Sequence, residues 1–354
     1  QYCGVGWAMV HPVLQWQLLH YYGDRRVVEQ QYETSRRWLD LVAAANPGHV
    51  ISDGLGDHEA LGASPPEALV TPMYFASAQL VARLAGVLGR EAESARYSAL
   101  AENIRRAFTE RMQNPAADRR TANTQSVEAF ALASGLLDPS GRTIAARRLL
   151  DDIRGAQNGH LSTGIFGTKF ALDVLSAEGH AQEIFDVVRQ DTYPGWAYML
   201  ANGATTLWEH WAPSDDTYSH NHPMFGSISE WMFKWLGGIQ PDPEAVGFDR
   251  IRIKPQLVDG INWVRSSYRS VHGEIVSNWS RTERTIEWQV TIPANTTATL
   301  FLRADSLDQV QEGRTILVPA RRAEGVRAAR LDGQYAVFTV GSGTYRFVAK
   351  WSGK

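Results

Sequence analysis

Near residues 239 to 249, in the stretch IQPDPEAVGFD, the hydrophobic pattern of this 354-residue chain changes period, and that change limits the folds open to it. Before it, apolar residues recur at i, i+3 and i+4, the spacing that sets one face of an α-helix against a core. Residues 8–22, 25–45, 66–88, 91–112, 124–137, 141–155, 168–178, 180–190 and 225–237 are read as helices on that pattern. The glycines of YYGDRR, LGREAE and SAEGHAQ fit helix C-caps, and turns this short make consecutive helices antiparallel neighbours. Serial helical hairpins without a fixed repeat period favour a closed ring of hairpins over a solenoid. After 249 the pattern alternates with period two, in RIRIKPQ, GEIVSNWS, RTIEWQVTIP, TATLFLRA and YAVFTVGSG. Val, Ile, Thr and aromatic residues alternating between Gly, Asn and Asp turns predict an antiparallel β-sandwich.

Composition removes several functions. Lys and Arg number 35 against 38 Asp and Glu, a net charge of −3 with no basic block, so the electrostatic footprint of a nucleic-acid binder is missing. No apolar run approaches the roughly 18 residues that span a bilayer. Cys3 stands alone, which excludes an internal disulfide and a cysteine-based metal site. The glycines of NGHLSTGIFGTKFALDVL (158–175) lack the dinucleotide-binding spacing, and no cofactor or metal is expected. The opening QYCGVGWAMV has no initiator Met and runs straight into helical pattern, as an internal start of a longer polypeptide would; any signal peptide would then lie upstream, which leaves the compartment open.

The chemistry is expected in the loops between helices. ISDGLGDHEALGASPPEALVTP (51–72) places Asp53, Asp57, His58 and Glu59 in a glycine-rich segment that cannot be helical before Pro65 or Pro66. Such a loop can bring a ligand close to the backbone, or can simply form an Asx-turn and cap the next helix. Its Asp–His pair has no third ligand spaced nearby for a metal. His160 reads as a structural histidine more readily than as a catalyst. The stretch GATTLWEHWAPSDDTYSHNHPMFGSISEW (203–231) is the richest. Glu209 lies between Trp208 and Trp211, a setting that desolvates a carboxylate, and no Lys or Arg occurs from Trp208 to Trp231 to neutralise it. His222, followed by Pro223, is held extended or in a turn, aimed at a ligand hydroxyl or bonded to backbone. Glu230 opens SEWMFKWLGG and suits an amphipathic helix. The twelve Trp residues serve equally as core or as stacking faces for sugar C–H groups.

Taken in order, GDRRVVEQQYETSRRWLD, GLGDHEAL, NTQSVEAFALASGLL, GHLSTGIFGT, YPGWAYMLANGATTLWEHW, SHNHPMFGSISEWMFKWLGGI and IRIKPQ resemble the α-L-rhamnosidases of glycoside hydrolase family 78 over nearly the whole chain. The combination of GATTLWEHW with NHPMFGSISEW is the specific part. The resemblance implies an (α/α)6-barrel catalytic domain, incomplete at its N-terminus, over 1–240, then a β-sandwich domain over 241–354. It also implies an inverting hydrolase that releases terminal non-reducing α-L-rhamnose from oligosaccharides, polysaccharides or glycosides. The family's general base falls on Glu209, and a ligand-contacting histidine on His222. Trp7 matches an aromatic of the sugar pocket, and Gly56-Asp57-His58 takes the place of the family's frequent Gly-Asp-Trp. Trp196 and Trp211 are further expected pocket walls.

Two departures matter. The segment like Asp-Cys-Pro-x-Arg-Glu that carries the family's general acid, expected several helices before Trp7, is absent from this sequence, so the partner it needs is an N-terminal part of the same polypeptide. His58 replaces a stacking Trp by a hydrogen-bonding ring, which points to a rhamnose attached to a charged or unusual sugar. The competing expectations are a non-catalytic carbohydrate-binding or scaffold fragment, and an (α/α)6-barrel glycosidase acting on another sugar.

Overall fold

The computed structural model describes residues 4–113, 123–214, 218–317 and 323–351. The chain forms two compact units, one of residues 1–16 and 25–228, the other of 17–24 and 229–354.

The helices are α1 Gly4–Ala8, α2 Val10–Tyr22, α3 Arg25–Ala45, α4 Pro66–Val87, α5 Glu91–Gln113, α6 Thr124–Ser134, α7 Pro139–Arg154, α8 Ile165–Ala177, α9 Ala181–Val188, α10 Trp196–Ala201 and α11 Ser227–Trp231. They fall into two kinds. Helix α3 buries a single stripe, Val28, Tyr32, Ser35, Leu39 and Val42, at the three- and four-residue spacing of one face. The first half of helix α4 is buried on every side, with residues 68–75 consecutively buried, and only its second half opens a face, at Gln79, Arg83 and Gly86. A helix that is apolar all round must be covered all round. The kinds alternate along the chain. The striped α3, α7 and α9 are outer helices, and α4 and α8, with Ile165, Ala171, Leu172, Val174 and Leu175 buried, are inner ones. Neighbours in sequence pack together as α3 with α4, α4 with α5, α6 with α7, and α8 with α9; α4 with α6 and α6 with α8 join successive hairpins. This is the arrangement of a helical-hairpin barrel.

Several boundaries differ from the periodicity. Helix α8 begins at Ile165, three residues early, because Gly164 and Gly167 there serve close packing and do not break the helix. The run read as one helix over 225–237 is a 3-10 turn Pro223–Gly226, then α11, then a π-helical turn Met232–Leu236.

The second unit has eleven strands: β1 Ile239–Pro241, β2 Arg250–Ile253, β3 Trp263–Ser270, β4 Gly273–Arg281, β5 Thr285–Ile292, β6 Thr297–Arg303, β7 Val310–Glu312, β8 Thr315–Ile316, β9 Val326–Asp332, β10 Tyr335–Val340 and β11 Gly343–Lys350. They make a five-stranded sheet, β1-β2-β6-β10-β9, and a six-stranded sheet, β3-β4-β5-β11-β7-β8. Every described pairing is antiparallel except β2 with β6, which is parallel. Strict burial alternation in β5 and β6 turns Ile286, Trp288, Val290 and Leu300 into one core with Phe338 stacked on Phe347 at 5.5 Å. Residues 17–24 belong to this unit: the His20 ring Nδ1 lies 3.0 Å from the Ala245 carbonyl, and Tyr21 meets Phe248 and Tyr268 edge-on.

Candidate functional site

The loop at 56–64 is fixed from beneath by Asp57. Its Oδ1 accepts from the backbone N–H groups of Phe166 (3.1 Å) and Gly167 (2.9 Å), and its Oδ2 from Gly164 N–H (2.7 Å) and the Ser126 hydroxyl (2.6 Å). The first turn of α8 has unpaired N–H groups and a positive dipole end, so a carboxylate is what it can hold. Burial pushes the Asp57 carboxyl above its ordinary range, and these four donors pull it back. Asp57 was expected among the sugar contacts; with both oxygens committed to α8 and α6, it braces the loop instead.

The backbone completes the dock. Ile165 N–H donates to the His58 carbonyl (2.8 Å) and Leu61 N–H to the Ser162 carbonyl (2.9 Å), while Asn123 and Gln125 side chains bind the 160–162 backbone. The approach is so close that a Cβ on Gly164 would lie 1.9 Å from the His58 carbonyl oxygen, and one on Gly167 2.3 Å from Asp57 Oδ2. Gly164→Ala must therefore lift the loop: about 1–3 kcal/mol of stability is expected to go, read as a lower denaturant midpoint, and an unchanged midpoint would show that the dock is not tight. His160 has both ring nitrogens engaged, with the Pro194 carbonyl at 2.9 Å and the Thr192 hydroxyl at 3.0 Å, and is structural.

Above the dock, the loop presents His58 and Glu59 to the segment around Glu209. That carboxylate is clamped: Glu209 N–H donates to the Ser219 carbonyl, and Ser219 N–H donates to Glu209 Oε2, both at 2.9 Å. His222 N–H pairs with the Leu207 carbonyl at 2.9 Å, which sets the two segments side by side. The His222 ring Nδ1 then lies 3.5 Å from Glu209 Oε2, and the His58 Nε2 lies 3.9 Å from Glu209 Oε1. Trp7 is placed edge-on to His58, with ring centres 5.9 Å apart, and edge-on to Phe166 at 5.3 Å. Trp7, His58, Glu209 and His222 thus converge. The Glu209 side chain keeps 21% of its surface exposed, enough for a water molecule to reach it.

The neighbours that sequence adjacency suggested for Glu209 are not the ones it has. Trp211 is 1% exposed, donates its indole N–H to the Thr163 carbonyl (2.9 Å), and packs against Trp196 and Phe225. Trp196 is 7% exposed and donates to the Phe225 carbonyl. Neither offers a ring face to a sugar; the expectation that they line the pocket is replaced by a role as the packing behind it. Trp208 turns toward His220. Among the described residues, imidazoles face the carboxylate, not indoles or a Lys or Arg.

Sequence reasoning named Glu59 in its loop without giving it a role, and passed over His210 and Tyr218. Glu59, 11% exposed in its side chain, has Oε1 3.5 Å from His58 Nε2 and Oε2 3.5 Å from His210 Nε2. The His210 ring stacks on Tyr218 at 5.0 Å. In the structure Glu59 has φ +63°, a left-handed conformation that a non-glycine side chain adopts at a cost. Loop 56–64, Leu69, His210 and Tyr218 wall an open concavity of about 580 Å³, a size that accepts a sugar unit. A larger concavity of about 740 Å³ lies on the six-stranded sheet beside Trp263, but with Glu287 as its one carboxylate and no histidine it lacks acid–base chemistry. Asp53 and Glu230 are exposed. Among the described residues no group of His, Cys, Asp and Glu is arranged to hold a metal ion, and no helix is long and apolar enough to cross a membrane.

Hairpin barrel, carboxylate–imidazole cluster on its loops and a following pair of sheets together define the class of six-hairpin glycosidase domains with a C-terminal sheet domain. Residues 2–236 match the bacterial alpha-L-rhamnosidase 6 hairpin glycosidase domain, and residues 238–317 match the bacterial alpha-L-rhamnosidase C-terminal domain. The chain belongs to the bacterial α-L-rhamnosidase family.

It is 33% identical over 353 residues to an alpha-L-rhamnosidase of Streptomyces avermitilis, covering 97% of this chain and 32% of that protein. The crystal structure of a Streptomyces avermitilis alpha-L-rhamnosidase complexed with L-rhamnose superposes with a TM-score of 0.84 at 31% identity, over 95% of this chain and 32% of that one. The alpha-L-rhamnosidase from Dictyoglumus thermophilum gives 0.88 at 26% identity, over 98% and 40%. The chain therefore spans 32% to 40% of the length of these relatives.

Proposed function

We propose that this chain carries the water-activating half of an inverting glycoside hydrolase that releases terminal α-L-rhamnose, with Glu209 as general base. The carrying observation is the asymmetry of the Glu209 carboxylate. Oε2 is held by Ser219 N–H and faced by His222, while among the described residues no backbone donor holds Oε1, which looks toward the His58 side. In the reaction, a water oxygen attacks the anomeric carbon, its proton passes to Glu209 Oε1, and the bond from that carbon to the leaving oxygen breaks. The leaving oxygen takes its proton from a carboxylic acid on the opposite face of the sugar. That acid is assigned to an N-terminal part of the same polypeptide, a reading supported by the share of the relatives' length that this chain spans. Trp7 offers an apolar edge, and His58 and His222 offer ring nitrogens to the sugar hydroxyls.

The test is hydrolysis of an aryl α-L-rhamnoside by the full polypeptide, followed by proton NMR at early times. β-L-Rhamnose as the first product is the expected outcome. α-L-Rhamnose appearing first would refute inversion, and release from an aryl glycoside of a different sugar in preference to the rhamnoside would refute the substrate class.

A further inference from the structure

We propose that Glu59 is a positioning residue that holds the Nε2–H of His58 away from Glu209, so that Glu209 Oε1 stays open to water; this rests on the reading of Glu209 as general base. Five side chains form an alternating series: His210, Glu59, His58, Glu209, His222. Successive contacts are 3.5, 3.5, 3.9 and 3.5 Å. The third link is the unusual one, because a single ring atom, His58 Nε2, faces two carboxylates. A neutral imidazole with its proton on that nitrogen has one N–H to donate there, and can direct it to one carboxylate at a time. Directed at Glu209, it would occupy the oxygen that must take the proton of water and would weaken that oxygen as a base. Directed at Glu59, it leaves the base free.

Three features bias the choice toward Glu59. Glu59 is the nearer by 3.5 against 3.9 Å. Its side chain is the more buried of the two, 11% against 21% exposed, so its charge is the less satisfied by solvent. Its backbone is held at φ +63°, and the next residue, Ala60, donates its N–H to the Asp57 carbonyl, which fixes the turn that aims the side chain inward. Among the described residues, the groups facing Glu209 are His222 and Ser219 N–H from its own side and His58 from the loop. Those facing Glu59 are His58 and His210, the latter stacked on Tyr218.

The test is a double-variant cycle in the full polypeptide with an aryl α-L-rhamnoside. Glu59→Gln keeps the shape but removes the charge, so the His58 N–H turns to Glu209. We expect kcat to fall about tenfold with KM changed less than about twofold, and the acidic limb of kcat/KM to move to lower pH, since Glu209 gains a donor and loses a neighbouring negative charge. In a His58→Phe background, whatever that change does alone, adding Glu59→Gln is expected to cost nothing further. Glu59→Asn, which tolerates positive φ and cannot reach the ring, should give the same pattern if Glu59→Gln folds poorly.

An equal loss in both backgrounds, with an unmoved pH limb, overturns the positioning role. So does a loss in both that disappears for a leaving group needing no protonation, which would make Glu59 the acid. Glu209→Gln is measured alongside. If it retains activity, the reading of the base has failed; if it is inactive and the cycle is additive, the failure is that of Glu59 alone.

Discussion

Glu209→Gln in the full polypeptide is expected to lower kcat for an aryl α-L-rhamnoside by about 10²–10⁴-fold, on the order of 3–5 kcal/mol of transition-state stabilisation, with KM changed only a few-fold. The substitution is isosteric, and the clamp on the side chain decides how the amide must lie. Ser219 N–H points at the Oε2 position and needs an acceptor, so the amide oxygen is drawn there. The amide nitrogen then occupies the Oε1 position toward His58, where it can donate a hydrogen bond to water but cannot take a proton from it. Retention of near-normal kcat would refute the assignment of the base, and a large rise in KM with kcat preserved would recast Glu209 as a sugar-binding group.

Trp211→Ala is expected to destabilise the helical unit by about 3–5 kcal/mol, the cost of emptying a buried indole site. The ring is inaccessible, lies 4.0 Å from Phe225 and 5.2 Å from Trp196 between ring centres, and donates to the Thr163 carbonyl. Removing it leaves a cavity and an orphaned carbonyl one residue before Gly164, so the dock beneath His58 loosens as well. Trp211→Phe fills most of the cavity and loses the hydrogen bond, and should cost about 1–3 kcal/mol. Chemical denaturation followed by tryptophan fluorescence measures both. A change below about 1 kcal/mol for Trp211→Ala, accompanied by weaker rhamnose binding, would restore Trp211 to the sugar wall and refute its place in the core.

The helices were legible where burial follows one face. Helix α3 occupies the residues its apolar stripe marks, 25–45. Helix α10, six residues long, is shorter than any window in which periodicity can be read. The helix read from 168 begins at Ile165, because local propensity cannot register that the His58 carbonyl and the Asp57 carboxylate, more than a hundred residues away, need the space at Gly164 and Gly167.

At the site, the segment around 209 and 222 was legible because it gathers a carboxylate, histidines and a proline in one short stretch. The residues around the carboxylate were not. Outside a helix, consecutive side chains diverge, so the indoles adjacent in sequence point into the core while His58 and Glu59 arrive from a distant loop. The alternating series of imidazoles and carboxylates is a property of two loops meeting, and no spacing within either announces it.

The second unit shares the change of period near 240 with the sequence, but not its own beginning. Its sheets close over Tyr21 as well as over Phe248 and Tyr268, and the backbone of His20 receives the Gly247 N–H. Genetic exchange that carried residues 238 onward into another protein would deliver a β-domain missing a piece encoded more than two hundred codons earlier, with an aromatic face and a backbone donor left uncovered. Inheritance of the two units is therefore linked: the sheet domain cannot travel as a cassette, and variation at Tyr21 is answerable to selection on strands at the other end of the chain.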